Sequence, residues 1–153
     1  MTKPILLALV VRLAATITDS RGFHFRPMPV VLEAIADGVL SDDVLASPEA
    51  TAALVVTFIA HESGFRSDVR GDGGRSCGLG QTPCSYTPLR DAPAQVRIML
   101  RLLRQSAAAS PDGLHPWATY ASGSPTNAAG IRISDARSAE ARALLAVVNA
   151  GGT

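Results

Sequence analysis

Apolar positions recur at helical spacing through most of the chain, and one stretch is apolar on every side. Near the N-terminus, Ile5, Leu6, Leu9, Val10 and Leu13 share one helical face. A second stripe runs through Val31, Leu32, Ile35 and Val39. It follows an irregular connector expected from Arg21 to Pro29, and Ser41-Asp42-Asp43 ends it or caps a short turn. The clearest helix start comes next: Ser47 can cap, Pro48 suits the first position, and Glu49 meets the positive end of the helix dipole. From Pro48 to Ser63 this helix carries Ala, Leu, Val, Phe and Ile around nearly its whole circumference, which predicts a central helix covered by other elements. Gly64 stops it.

Residues 66 to 88 have no helical period and hold five glycines and two prolines, so turns and a short irregular hairpin are expected there. Asp91 and Pro93 open another helix, with Val96, Met99, Leu100 and Leu103 buried and Arg97, Arg101 and Arg104 outward. Ser110 to Pro116 reads as a loop, and Trp117 to Tyr120 as a short helical turn ending at Gly123. Ser134 is then expected to cap a last helix whose buried face is Ala141, Leu144, Leu145 and Val148, ending at Gly151 and Gly152. The pattern predicts an α+β domain, mostly α-helical, with a central buried helix and a small irregular or β-hairpin insertion.

Two segments are expected: residues 1–28, an amphipathic helix or a short export signal, and a domain over residues 29–153. The apolar run Ile5 to Val11 follows Lys3 but is interrupted at Arg12, and no clear small-residue cleavage site follows. It is too short to span a membrane. At 153 residues and 47% hydrophobic content the chain can bury a core of its own. Fourteen basic and 13 acidic residues are spread without a basic block, which argues against a nucleic-acid partner. Cys77 and Cys84 can pair over the glycine-rich turn or stay as small buried thiols. With His24, His61 and His115 they show no metal-ligand spacing.

Candidate chemistry concentrates at Glu62. Of the four glutamates, Glu33 and Glu140 fit solvated faces of amphipathic helices, and Glu49 has its place at a helix start. Glu62 ends the most apolar helix, where the dipole least favours a carboxylate. Burial and dipole both push its pKa upward, the property a proton donor to a leaving sugar oxygen needs. The alternative is a helix-end glutamate reaching solvent beside Gly64. His61-Glu62 lacks the second histidine of a zinc-protease helix, since Phe65 stands there. Nothing orients a base for Cys77 as a nucleophile. Trp117 suits the core or a sugar-stacking face.

Glu62-Ser63-Gly64-Phe65, the glycine-rich turn, and Gly78-Leu79-Gly80-Gln81 together resemble the signature of the soluble lytic transglycosylases and goose-type lysozymes. In those families a Glu-Ser pair at a helix end is followed by Gly-Leu-Met-Gln. Trp117-Ala118-Thr119-Tyr120-Ala121-Ser122-Gly123 resembles their Ala-Tyr-Asn-Ala-Gly element. The resemblance spans roughly residues 47 to 123. It implies a lysozyme-like fold that cleaves the β-1,4 bond between N-acetylmuramic acid and N-acetylglucosamine, without metal or cofactor. By position it implies Glu62 as the catalytic acid, Gln81 holding a sugar through its amide, and Tyr120 turning its hydroxyl toward the site. Gly78 and Gly80 would let the glycan approach the backbone. Gly80 stands where the family has methionine, and Ala121 where it has asparagine.

Gly71-Asp72-Gly73-Gly74 resembles a Gly-Asp-Arg-Gly stretch of goose-type lysozymes, whose aspartate positions water. A turn aspartate bonding its own backbone is the favoured reading. Water attack gives hydrolysis, whereas attack by the substrate's own hydroxyl gives a 1,6-anhydro product. The expectation is therefore a monomeric enzyme acting on peptidoglycan at the cell wall, in the periplasm, outside the cell or delivered by a phage. The competing class is a non-catalytic glycan-binding domain or a structural part of a phage particle.

Overall fold

The computed structural model describes residues 1–20, 27–42 and 44–151. The expected connector from Arg21 falls largely outside them, as do His24, Asp43 and Gly152. Six α-helices and a small antiparallel sheet make up the described chain: α1 (Lys3–Ser20), α2 (Pro29–Ser41), α3 (Pro48–Glu62), α4 (Ala92–Ala109), α5 (Ala118–Ser122) and α6 (Ala128–Ala150). Between α3 and α4 lie β1 (Arg70–Gly71), a 3-10 turn over Asp72–Gly74, β2 (Ser76–Cys77) and β3 (Thr82–Pro83). The domain is α+β and mostly helical.

α3 starts as its sequence dictates. The Ser47 side chain accepts from the Ala50 amide, Pro48 opens the helix, and Glu49 sits in the first turn. Every residue from Thr51 to Ala60 is buried, because α1, α2 and α6 enclose the helix. α1 contributes Leu6, Leu9, Val10, Leu13, Ala14 and Ile17 to the same core. Ile5, expected on that face, is instead 60% exposed. It lies one residue, about 100° of rotation, before the buried stripe that begins at Leu6. Lys3 closes the N-terminal end of the helix by an ion pair to Asp37 of α2 at 2.7 Å. Among the described residues no helix is long and apolar enough to cross a membrane.

The insertion is a three-stranded sheet ordered β1-β2-β3, more regular than a single hairpin. Arg70 pairs with Cys77 and Gly71 with Ser76; on the other side Ser76 pairs with Pro83 and Cys77 with Thr82. Cys77 and Cys84 are joined by a disulfide that closes the turn between β2 and β3. A cysteine held in this bond has no thiol to act as a nucleophile.

α4 follows expectation: Asp91 accepts from the Ala94 amide, Val96, Met99, Leu100 and Leu103 are buried, and Arg97, Arg101 and Arg104 are exposed. The last helix does not start at Ser134. Asn127 caps it, accepting from the amides of Ala129 and Gly130, so α6 begins at Ala128 and Ser134 lies inside it. Ser134 is fully buried, and its hydroxyl accepts from the Trp117 amide. Gly130 explains the early start: a Cβ there would meet the Ser122 hydroxyl at 2.2 Å and the Ala118 carbonyl at 2.7 Å. The absent side chain lets the first turn of α6 press against α5. Glu140 is also half-buried rather than solvated, because it bonds His61 across the α3–α6 contact at 2.7 Å. Trp117 belongs to the core, its indole N–H donating to Ser138.

Candidate active site

Glu62 is the last residue of α3, and the chain turns sharply away from it. Ser63 closes the helix through backbone and hydroxyl bonds to the Ile59 carbonyl, and Gly64 takes a left-handed conformation at φ 58°. Phe65 is left-handed too, at φ 64°, and buries its ring in the core. The core thus holds the turn from behind and leaves the Glu62 side chain half-buried at the helix end.

Burial and two charged neighbours act on this carboxyl. Burial pushes its pKa above the ordinary 4.5, and the negative charge of Asp72 pushes in the same direction. The Arg137 guanidinium of α6 opposes both, less strongly than burial. The net direction is upward. Arg137 comes to this place through helix register, for it lies one turn before Glu140, which His61 grips from the residue next to Glu62.

Tyr120, from α5, lies within electrostatic reach of Glu62. Burial, then the Glu62 charge, then Tyr86 raise its pKa well above 10.0, so it stays a neutral hydroxyl. That hydroxyl donates to the Gly80 carbonyl at 2.6 Å, and the ring stacks edge-on against Phe58 of α3 at 5.2 Å. Asp72 is exposed, sits at φ 50°, and accepts from the Ser76 hydroxyl at 2.6 Å. It therefore serves its own turn while presenting its charge to Glu62.

Gln81 points into its own turn. Its amide N–H donates to the Gly78 carbonyl at 3.0 Å, and its amide oxygen fills the space where Gly71 has no Cβ. The two glycines proposed for close glycan approach have reasons within the protein. A Cβ on Gly78 would strike the Gln95 amide at 2.4 Å, and one on Gly80 would come within 2.6 Å of the Tyr120 hydroxyl. The structure thus brings Glu62, Asp72 and Tyr120 into one electrostatic group, ties Gly80 to Tyr120, and leaves Gln81 bonded to Gly78.

Two residues escape a sequence reading. Arg137 carries no local mark, since its meeting with Glu62 depends on how α6 crosses α3. Gln95 does carry one: it is a polar residue on the buried stripe of α4, four before Met99. Its amide oxygen accepts from the Leu79 amide at 2.9 Å, and its N–H group donates to the carbonyls of Ser67 and Pro88 at 2.8 and 2.7 Å. One buried, satisfied side chain therefore fastens the whole insertion to α4.

A cavity of about 540 Å³ lies away from this group, beside the N-terminal half of α3, walled by Leu45, Leu54, Leu114, Trp117 and Leu145. It is mainly apolar and contains none of Glu62, Asp72, Gly78, Gly80, Gln81 and Tyr120. A groove of about 400 Å³ is lined by Met28, Val30, Arg90 and the segment from Gly64, two residues after Glu62, to Asp68.

Compared with known proteins, the chain matches no family model, no curated protein and no solved structure. The likeness to lytic transglycosylases and goose-type lysozymes rests on the motif residues alone.

Proposed function

We propose that this chain cleaves peptidoglycan glycan strands at the bond between N-acetylmuramic acid and N-acetylglucosamine, with Glu62 as general acid in a lysozyme-like fold. One observation carries the reading: a half-buried carboxyl at the end of a helix buried from Thr51 to Ala60, its pKa raised by burial and by Asp72 against the opposing Arg137. The Glu62 proton passes to the glycosidic oxygen as the bond to the muramyl C1 breaks. The sugar develops positive charge, and the carboxylate left behind gains the Arg137 guanidinium as its counter-charge. Either water or the muramyl 6-hydroxyl then attacks C1 and returns a proton to Glu62. Tyr120, fixed by Gly80 and Phe58, keeps a neutral hydroxyl beside the reacting groups.

Glu62→Gln keeps the shape of the side chain and removes the transferable proton. Muropeptide release should fall by at least about a hundredfold, the usual size of a general-acid contribution. Binding to insoluble peptidoglycan should persist. Mass analysis of wild-type products then separates the two outcomes at C1, since an anhydro end is lighter than a reducing end by one water. A wild-type protein that binds peptidoglycan and releases nothing would instead be a glycan-binding or phage structural domain.

A further inference from the structure

The groove lined by Gly64, two residues after Glu62 in the chain, has walls of two kinds. Met28 and Val30, both about half exposed, supply an apolar side; Arg66, Asp68 and Arg90 supply a charged one. Arg66 and Asp68 form a loose ion pair at 3.4 Å, each about half exposed. Among the described residues that line the groove, two guanidiniums thus accompany one carboxylate, a surplus of positive charge.

The groove is fixed by bonds beneath it. The Arg90 amide donates to the Ser67 carbonyl at 2.9 Å, which joins the two segments that bear the arginines. Gln95 donates to the same carbonyl and to that of Pro88, anchoring both segments to α4. Among the described residues four that are not glycine adopt positive φ: Phe65 and Arg90 in this groove, Asp72 and Gln81 in the turns of the sheet. Each such residue costs about 1 kcal/mol or more and persists only where its surroundings hold it. Backbone strain therefore occurs both in the turn that carries Asp72 and in the groove lined by Phe65 and Arg90.

A ligand that matches these walls carries carboxylates for the guanidiniums and small aliphatic groups for Met28 and Val30. On a peptidoglycan strand the peptide attached to the muramyl sugar has that chemistry. We propose that the Arg66–Arg90 groove binds the acidic stem peptide of the strand, so that the chain prefers strands whose stem carboxylates are free. This rests on the glycan-cleaving reading and adds the part of the substrate that selects it.

The test compares cleavage of soluble glycan strands bearing free stem carboxylates with the same strands after chemical amidation of those groups. The full-length wild type should favour the free acid, and in the double variant Arg66→Gln, Arg90→Gln that preference should shrink about tenfold, with Arg→Lys at both positions restoring part of it. Glutamine keeps the three-carbon stem and a polar end without the charge, and a thermal melt of each variant checks that folding is intact. An unchanged preference, or none in the wild type, overturns the proposal. A second arm is independent of catalysis: the isolated acidic stem peptide is titrated into Glu62→Gln protein and followed by NMR at the arginine side chains. Shifts at the arginine side chains that vanish with the amidated peptide, and shifts at the Gly64 and Ser67 backbone amides that vanish in the double arginine variant, support the groove; their absence overturns it. If the wild type cleaves neither strand, the cleavage reading fails, while the peptide titration still decides the groove.

Discussion

Glu62 is held between two opposite charges, and this balance makes its ionisation adjustable by single substitutions. Because its folded pKa lies above its ordinary value of 4.5, the folded state keeps the proton more tightly than the unfolded chain. Its contribution to stability is then greatest below about that ordinary value and declines as pH rises toward the folded one. Under the proposed mechanism the same shift extends the range over which the acid stays protonated. Arg137→Gln removes the opposing cation and should raise the Glu62 pKa further, moving the alkaline limb of the cleavage profile to higher pH. Asp72→Asn removes the supporting anion and should move that limb to lower pH. Carboxyl-carbon NMR titration of Glu62 alongside pH–rate profiles checks both directions, and two shifts of the same sign would contradict this arrangement. Glu62 was legible in the sequence because an acid at the end of an apolar helix is a local conflict. Arg137 was not, because only the crossing of two helices brings it near.

Among the elements, the contact of α5 with the β2–β3 turn depends on one missing side chain. At Gly80 an added Cβ would lie 2.6 Å from the Tyr120 hydroxyl and 3.1 Å from the Met99 side chain. The hydroxyl cannot easily move, for it donates to the carbonyl of that same glycine. Gly80→Ala should therefore cost about 1–3 kcal/mol through overpacking. Tyr120→Phe should cost about 1 kcal/mol through the lost hydrogen bond. Once the hydroxyl is gone, the alanine methyl has room on that side, so the double variant should cost less than the two singles by about 1 kcal/mol. Urea unfolding of the four proteins measures this coupling, and simple additivity would show that Gly80 is not glycine on account of Tyr120. Glycine at position 80 thus has a physical reason within this fold. Local signals performed well where one residue type fits one place, as at Ser47-Pro48 and Asp91. They misled at Ser134, a good capping residue, because the pressure of α5 on Gly130 and the double cap by Asn127 start α6 earlier.

For the whole molecule, helix periodicity conveyed the class of fold, whereas the partners of each face were fixed only by tertiary packing. Residues 5 to 13 illustrate the difference: their amphipathic spacing was readable, yet it did not reveal that α1 meets α2, α3 and α6 at once. Leu6, Val10 and Leu13 are completely buried there, and Ile17 is nearly so. Burying each such side chain contributes about 1.5–3 kcal/mol, which for four of them is comparable to the entire stability of a domain, about 5–15 kcal/mol. Removing α1 would also uncover α3, whose apolar circumference has no face suited to water. A chain that starts at Met28 should accordingly give no cooperative thermal transition by circular dichroism and should bind hydrophobic dyes. A sharp melt would mean that the remaining helices close over α3 unaided. In that case the first segment would be an accessory to the fold rather than one wall of the core that holds Glu62 in place.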